Sequence, residues 1–198
     1  MLSLAPVLQM RPVDLLAIAG GAVPAEFVPA DPGTAATVES LLWNRLDIAT
    51  AEAMRDHARS LPRLSGPTAP VELPALPALT FGAVFTRLME LRSLTRKSMA
   101  YGTSSAQSTI ARAMGGGVLG QRALELLSAL LCLRSDDVEA MAGWTVEGPP
   151  AHPWVRDEVP ILWATGELLL ALAPLQREQV KAVLGAHYAP RHPHGTAL

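Results

Sequence analysis

Between Arg96 and Arg112 the chain is rich in hydrogen-bonding side chains, among them Arg96, Lys97, Gln107, Ser108, Thr109 and Arg112. Amide, hydroxyl and guanidinium groups of this kind pair with flat polar edges and with anionic oxygens. The apolar residues among them have a regular spacing. Ala100 lies ten residues before Ile110, and Gly116 lies six residues after it. That pattern predicts a helix, a tight turn and a second short helix crossing the first, with Ala100 as the small residue at the crossing. Ile110 anchors the second helix, and Gly115-Gly116-Gly117 ends it. Gln107, Ser108, Thr109 and Arg112 then point outward, where they can read base edges in a DNA major groove. Arg96 and Lys97, at the start of the preceding helix, are placed to touch phosphate.

The wider stretch has further matching anchors. Phe81-Gly82 leads into Leu88, Leu91 and Arg92, and Leu94-Thr95 precedes Met99-Ala100. Ser108-Thr109-Ile110 follows, and a Leu-rich run closes the stretch from Arg122 to Leu133. In these residues the chain resembles the Cro/repressor-like helix-turn-helix family of the xenobiotic-response-element type. The resemblance covers about a quarter to a third of the chain. It implies a five-helix module over residues 80–144 that reads double-stranded DNA in transcriptional regulation. There are two departures. Ser104 stands where the family has a turn glycine, and a non-glycine residue in a left-handed turn costs roughly 1 kcal/mol or reshapes the turn. Met114 stands where the family often has Glu.

The elements around these residues follow from composition. Hydrophobic residues make up 49% of the 198 positions and aromatics only 5%. Ala and Leu dominate the apolar set, which predicts an all-α fold. Seventeen prolines and 15 glycines predict short helices separated by ordered loops. The net charge is −2, so the chain as a whole is not a basic polymer binder. Between Thr86 and Arg122, however, six basic residues (Arg87, Arg92, Arg96, Lys97, Arg112 and Arg122) face one acid, Glu90. The segment is therefore +5 and the remainder −7, a basic module on an acidic body. Cys132 sits among leucines and reads as a small buried apolar residue in a reducing compartment. The N-terminus lacks a basic n-region with a long apolar run, and no stretch of 18 apolar residues occurs. Both features predict a cytoplasmic protein with no membrane contact.

Residues 1–60 form an N-terminal helical segment: a helix near Val13–Ala19, one over Val38–Arg45 with Trp43 inward, and one from Ala51 to about Ser60 capped by Thr50. Residues 61–79 are a Pro-rich strap laid along a helical surface, its five prolines forbidding a helix. Residues 80–144 are the helix-turn-helix module, with Ser135 capping its last helix. Residues 145–198 are a C-terminal helical segment, with helices near Val159–Leu172 and from Pro174 to about Tyr188, and a flexible tail.

Other chemistry has little support. His187, His192 and His194 cluster near the C-terminus without a fixed frame, and His57 and His152 stand alone, so no metal site is expected. No Ser-His-acid or Cys-His pattern has local support, and the glycine run lacks the Lys-Ser/Thr of a phosphate loop. The chain is expected to use no catalytic residue and no cofactor, and not to be an enzyme. Trp144, Trp154 and Trp163 read as core or dimer contacts. A single module reads a short half-site weakly, which predicts a homodimer, with the C-terminal helices as the holding surface. The alternative is a repressor-like fold used as a protein-interaction adaptor or antitoxin that does not read DNA.

Overall fold

The computed structural model describes residues 5–44, 46–64, 72–143 and 153–187. These residues are all-helical, with an isolated β-bridge between Val23 and Leu73 in place of any strand. Three helices, α1 (Pro12–Ile18), α2 (Thr34–Trp43) and α3 (Ile48–Ser60), come first. Five follow the Pro-rich strap: α4 (Phe81–Glu90), α5 (Arg96–Gly102), α6 (Gln107–Met114), α7 (Gln121–Leu130) and α8 (Ser135–Ala142). Two more, α9 (Pro153–Leu172) and α10 (Arg177–His187), complete the described chain.

Local chemistry sets most of the boundaries. Pro12 opens α1, where its missing N–H costs nothing. Asp47, not Thr50, caps α3: its Oδ1 accepts from the Thr50 N–H at 2.8 Å, so the helix starts three residues earlier than expected. Thr80 caps α4, and Thr95 and Ser98 form a reciprocal capping box on α5. Ser135 is the first residue of α8, not its cap, and Asp136 and Asp137 fill the first turn where the helix dipole favours acids. α9 starts earlier than the apolar pattern indicates and carries Pro160 in its interior.

One continuous core runs through every segment, from Val13 in α1 to Val183 in α10. α9 lies between α3 and α7, α2 packs along α5, and α10 rests on α3 and α2. The approach of α9 to α7 requires Gly166, because a Cβ there would stand 2.5 Å from the Leu130 carbonyl oxygen. This packing removes one argument for a dimer. Leu168, Leu169, Leu175, Val180 and Val183 are all buried within the single chain. Trp43 reverses its expected position: it is 64% exposed, with its ring 4.5 Å edge-to-face from Tyr101. Trp163 is also partly exposed, while Trp144, His152, His192 and His194 lie outside the described residues.

Residues 72–79 of the strap are held at three points. Val23 and Leu73 exchange backbone hydrogen bonds at 2.8 and 3.0 Å, and the Leu76 N–H donates to the Gly20 carbonyl at 2.9 Å. The Arg87 guanidinium donates to the Pro74 carbonyl through both terminal nitrogens. The strap is therefore fixed by the N–H groups of Leu73 and Leu76, by the carbonyls of Leu73 and Pro74, and by Leu73 and Leu76 packing on the core.

The largest fully buried side chain is a charged one, Arg92. Its guanidinium makes a two-pronged pair with Asp14 at 2.9 and 3.1 Å, and also donates to the carbonyls of Leu88 and Leu131. Asp14 is only 1% exposed. The pair ties α1 to the C-terminal ends of α4 and α7.

Cys132 ends α7 in a left-handed conformation, φ 51°, and its Sγ lies 3.6 Å from the Trp163 carbonyl under α9. Burial is the main cause that pushes its thiol from 9.0 up to about 12. The unfolded chain then loses this proton before the folded chain does. The stabilising effect is complete below pH 9.0 and falls away as pH rises toward about 12. Between pH 8 and pH 10 the parent should lose about 1 kcal/mol more stability than Cys132→Ala, read from denaturant midpoints. Cys132 is only partly buried, so the expectation of a fully buried residue is not met, and equal losses in the two proteins would show that the cover of α9 does not shield its thiol.

Candidate nucleic-acid interface

α4, α5 and α6 position the residues singled out by their spacing. α6 packs on both α4 and α5. Its approach to α4 is set by Gly82, where a Cβ would stand 1.8 Å from the Met114 carbonyl oxygen. Ala100 is 3% exposed, and Ile110 and Ala113 are fully buried, so the expected anchor register holds. Residues 103–106 join α5 to α6. Thr103 Oγ1 donates back to the Met99 carbonyl, and the Ser105 N–H donates to the Ala100 carbonyl at 3.0 Å. Ser104 adopts φ 50°, so the turn keeps the left-handed residue that a glycine would fill more cheaply.

α6 is eight residues long, or about 12 Å. It begins without a side-chain cap, because Ala106 holds that position. Gln107, Ser108 and Arg112 are exposed, and Ala111 between them is half-buried. Ser108 and Arg112 are one turn apart and share a face. Thr109 is half-buried and turns toward α7, lining a shallow recess with Gln121 and Arg122. The aliphatic stem of Arg112 lies along Gly117, where a Cβ would meet its Cγ at 2.5 Å.

The +5 segment does not form a +5 surface. Arg92 is neutralised in the core by Asp14, and Arg87 is buried on the strap with Glu90 at 3.4 Å. Lys97 pairs with Glu39 of α2 at 2.6 Å and lies 5.5 Å from the Tyr101 ring centroid, and the carboxylate holds its pKa above the usual lysine value. Arg122 sits 3.6 Å from Glu158 of α9. Arg96 and Arg112 are the two exposed cations of the segment with no acidic partner among the described residues. The sequence showed which residues are charged but not which acids the other helices bring to them.

Other arrangements of chemical interest are few. His57, which looks solitary in the sequence, has its Nδ1 3.1 Å from Nε2 of His187, joining α3 to α10. Among the described residues no three His, Cys, Asp or Glu side chains group closely enough to hold a metal ion. No described helix is long and apolar enough to cross a membrane. The chain matches no family model, no curated protein and no solved structure.

Proposed function

We propose that this chain is a DNA-binding transcriptional regulator of repressor-like type, a binding protein rather than an enzyme, acting on double-stranded DNA in the cytoplasm. The observation that carries this reading is the outer face of α6. It presents Gln107, Ser108 and Arg112 to solvent while Ile110 and Ala113 anchor the opposite face. Short polar side chains and one arginine on an eight-residue helix suit a few base contacts in a major groove. Arg96 opens α5, where the helix dipole disfavours a cation, so local helix stability does not explain it and phosphate contact does. A two-fold dimer reading two half-sites is part of the proposal. It rests on the weakness of a single half-site, because α9 and α10 use their apolar faces inside the chain.

Pooled-oligonucleotide selection with the purified chain, followed by shift assays, tests the reading. Arg112→Ala should weaken the selected site about tenfold or more with helicity unchanged, the loss expected for one arginine–guanine contact. The Arg96→Ala/Lys97→Ala double variant should weaken selected and random DNA alike, with a salt slope shallower by about 1–2. Failure to enrich any sequence would defeat the proposal. A second reading, an adaptor or antitoxin without DNA reading, is favoured by the neutralisation of four of the segment's six basic residues within the chain. Retention on heparin that disappears at low salt, with no enriched sequence, would support it.

A further inference from the structure

A cavity of about 150 Å³ opens beside the α5–α6 turn, between α2 and α9. Leu41, Leu42, Leu46, Ile161 and Leu162 supply its walls, and Gly102 leaves one side without a side chain. An apolar cavity of about this size is large enough for a benzene-sized molecule. Its polar lining comes from Thr103, Ser104, Thr165 and Glu158. Thr103 Oγ1 and Thr165 Oγ1 each give their proton to a helix carbonyl four residues back, at 2.9 and 2.8 Å, which leaves lone pairs to offer. Glu158 also lines the cavity; its side chain is 31% exposed, but its Oε2 is buried with no hydrogen-bond partner. The Arg122 Nη2 at 3.6 Å is close enough for attraction but too far for a hydrogen bond. No described lysine, arginine or histidine lines the space. A buried carboxylate oxygen without a donor is costly, and a ligand that supplies N–H groups removes that cost.

We infer that this cavity binds a small apolar amine, with its hydrocarbon body among the leucines and its ammonium donating to Glu158. The hydroxyl oxygens of Thr103 and Thr165 are further acceptors for the same head. A carboxylate or phosphate ligand would instead face a like charge, so the site discriminates by charge sign as well as by size. The ligand's amine competes with Arg122 for Glu158. Arg122 also lines the recess beside Thr109, so occupancy is relayed toward α6. Any effect on DNA affinity rests on the proposed function; binding itself does not.

The probe is benzylamine, compared at pH 7 with benzyl alcohol and benzoate by calorimetry on the whole chain. Amide chemical shifts locate the site. Benzylamine should bind saturably, about tenfold or more tighter than benzyl alcohol, and benzoate should not bind. The shifts should centre on Gly102 to Ser104 and Ile161 to Thr165. Glu158→Gln should erase the preference for the amine over the alcohol while the unliganded spectrum keeps its dispersion. No saturable binding, an amine preference that survives Glu158→Gln, or shifts centred elsewhere would each overturn the assignment. Shift assays with and without benzylamine then test the relay separately. An unchanged DNA affinity removes the relay and leaves the site in place.

Discussion

Asp14→Ala should cost about 3–5 kcal/mol, because it strands the Arg92 guanidinium in the core with no counter-charge. For a chain of this size that corresponds to a fall in Tm of roughly 6–20 °C. Arg92 is fully buried and cannot turn out to water without opening the seam between α1, α4 and α7. The carbonyls of Leu88 and Leu131 satisfy two of its donors, but they do not balance its charge. Replacing both partners with apolar residues, as in Asp14→Leu/Arg92→Met, should recover part of the loss, since the Arg92 charge is no longer stranded, although Arg11 at 3.7 Å also loses its counter-charge. Recovery should be incomplete because the Leu131 carbonyl loses its side-chain donor. Thermal melts of the three proteins decide the matter. A cost below about 1 kcal/mol for Asp14→Ala would show that the pair does not hold α1 in place.

Gly82→Ala should also be severe, at about 3 kcal/mol. The new methyl would stand 1.8 Å from a backbone oxygen at the end of α6, and neither helix can yield by a rotamer change. The helices must separate, which moves the outer face of α6 relative to α5. Gly185→Ala is the matched control. Gly185 is exposed on α10, and a Cβ there meets nothing within 4 Å. Alanine should stabilise that helix by up to about 1 kcal/mol. Opposite signs for the two substitutions, measured by denaturant unfolding, would separate close packing from helix propensity. A mild effect at Gly82 would mean that α4 and α6 are not in the contact that sets the register of Gln107, Ser108 and Arg112.

Much of the local order was legible before any packing was known. The glycine run marks the end of α6 at Met114, and Ser135 marks the start of α8, because such signals act within one or two turns of chain; the Leu-rich run from Arg122 to Leu133 coincides with α7 but overshoots its end at Leu130. The anchor pattern of Ala100 and Ile110 likewise carried over to burial. Misplaced boundaries came from competition between neighbours. Asp47 and Thr50 both suit a cap, and the side chain that reaches an open N–H three residues on prevails. Hydrophobicity alone puts Trp43 inward, whereas α2 turns its leucines to the core and leaves the ring against Tyr101 at the surface.

By itself the sequence determined that this protein is helical and that Gln107, Ser108 and Arg112 stand opposite the anchors of α6, but not that Thr109 turns toward α7. Those are consequences of backbone propensity and periodicity, which act over a few residues. Tertiary structure alone decided what the charges do. Arg92 meets Asp14 across 78 positions, Lys97 meets Glu39, and Arg122 meets Glu158. Coulomb attraction depends on distance in space, and no local pattern encodes which acid will arrive. The same reason places the cavity beyond sequence reading. Its walls come from α2 and α9, and only the folded core brings them to the turn between α5 and α6.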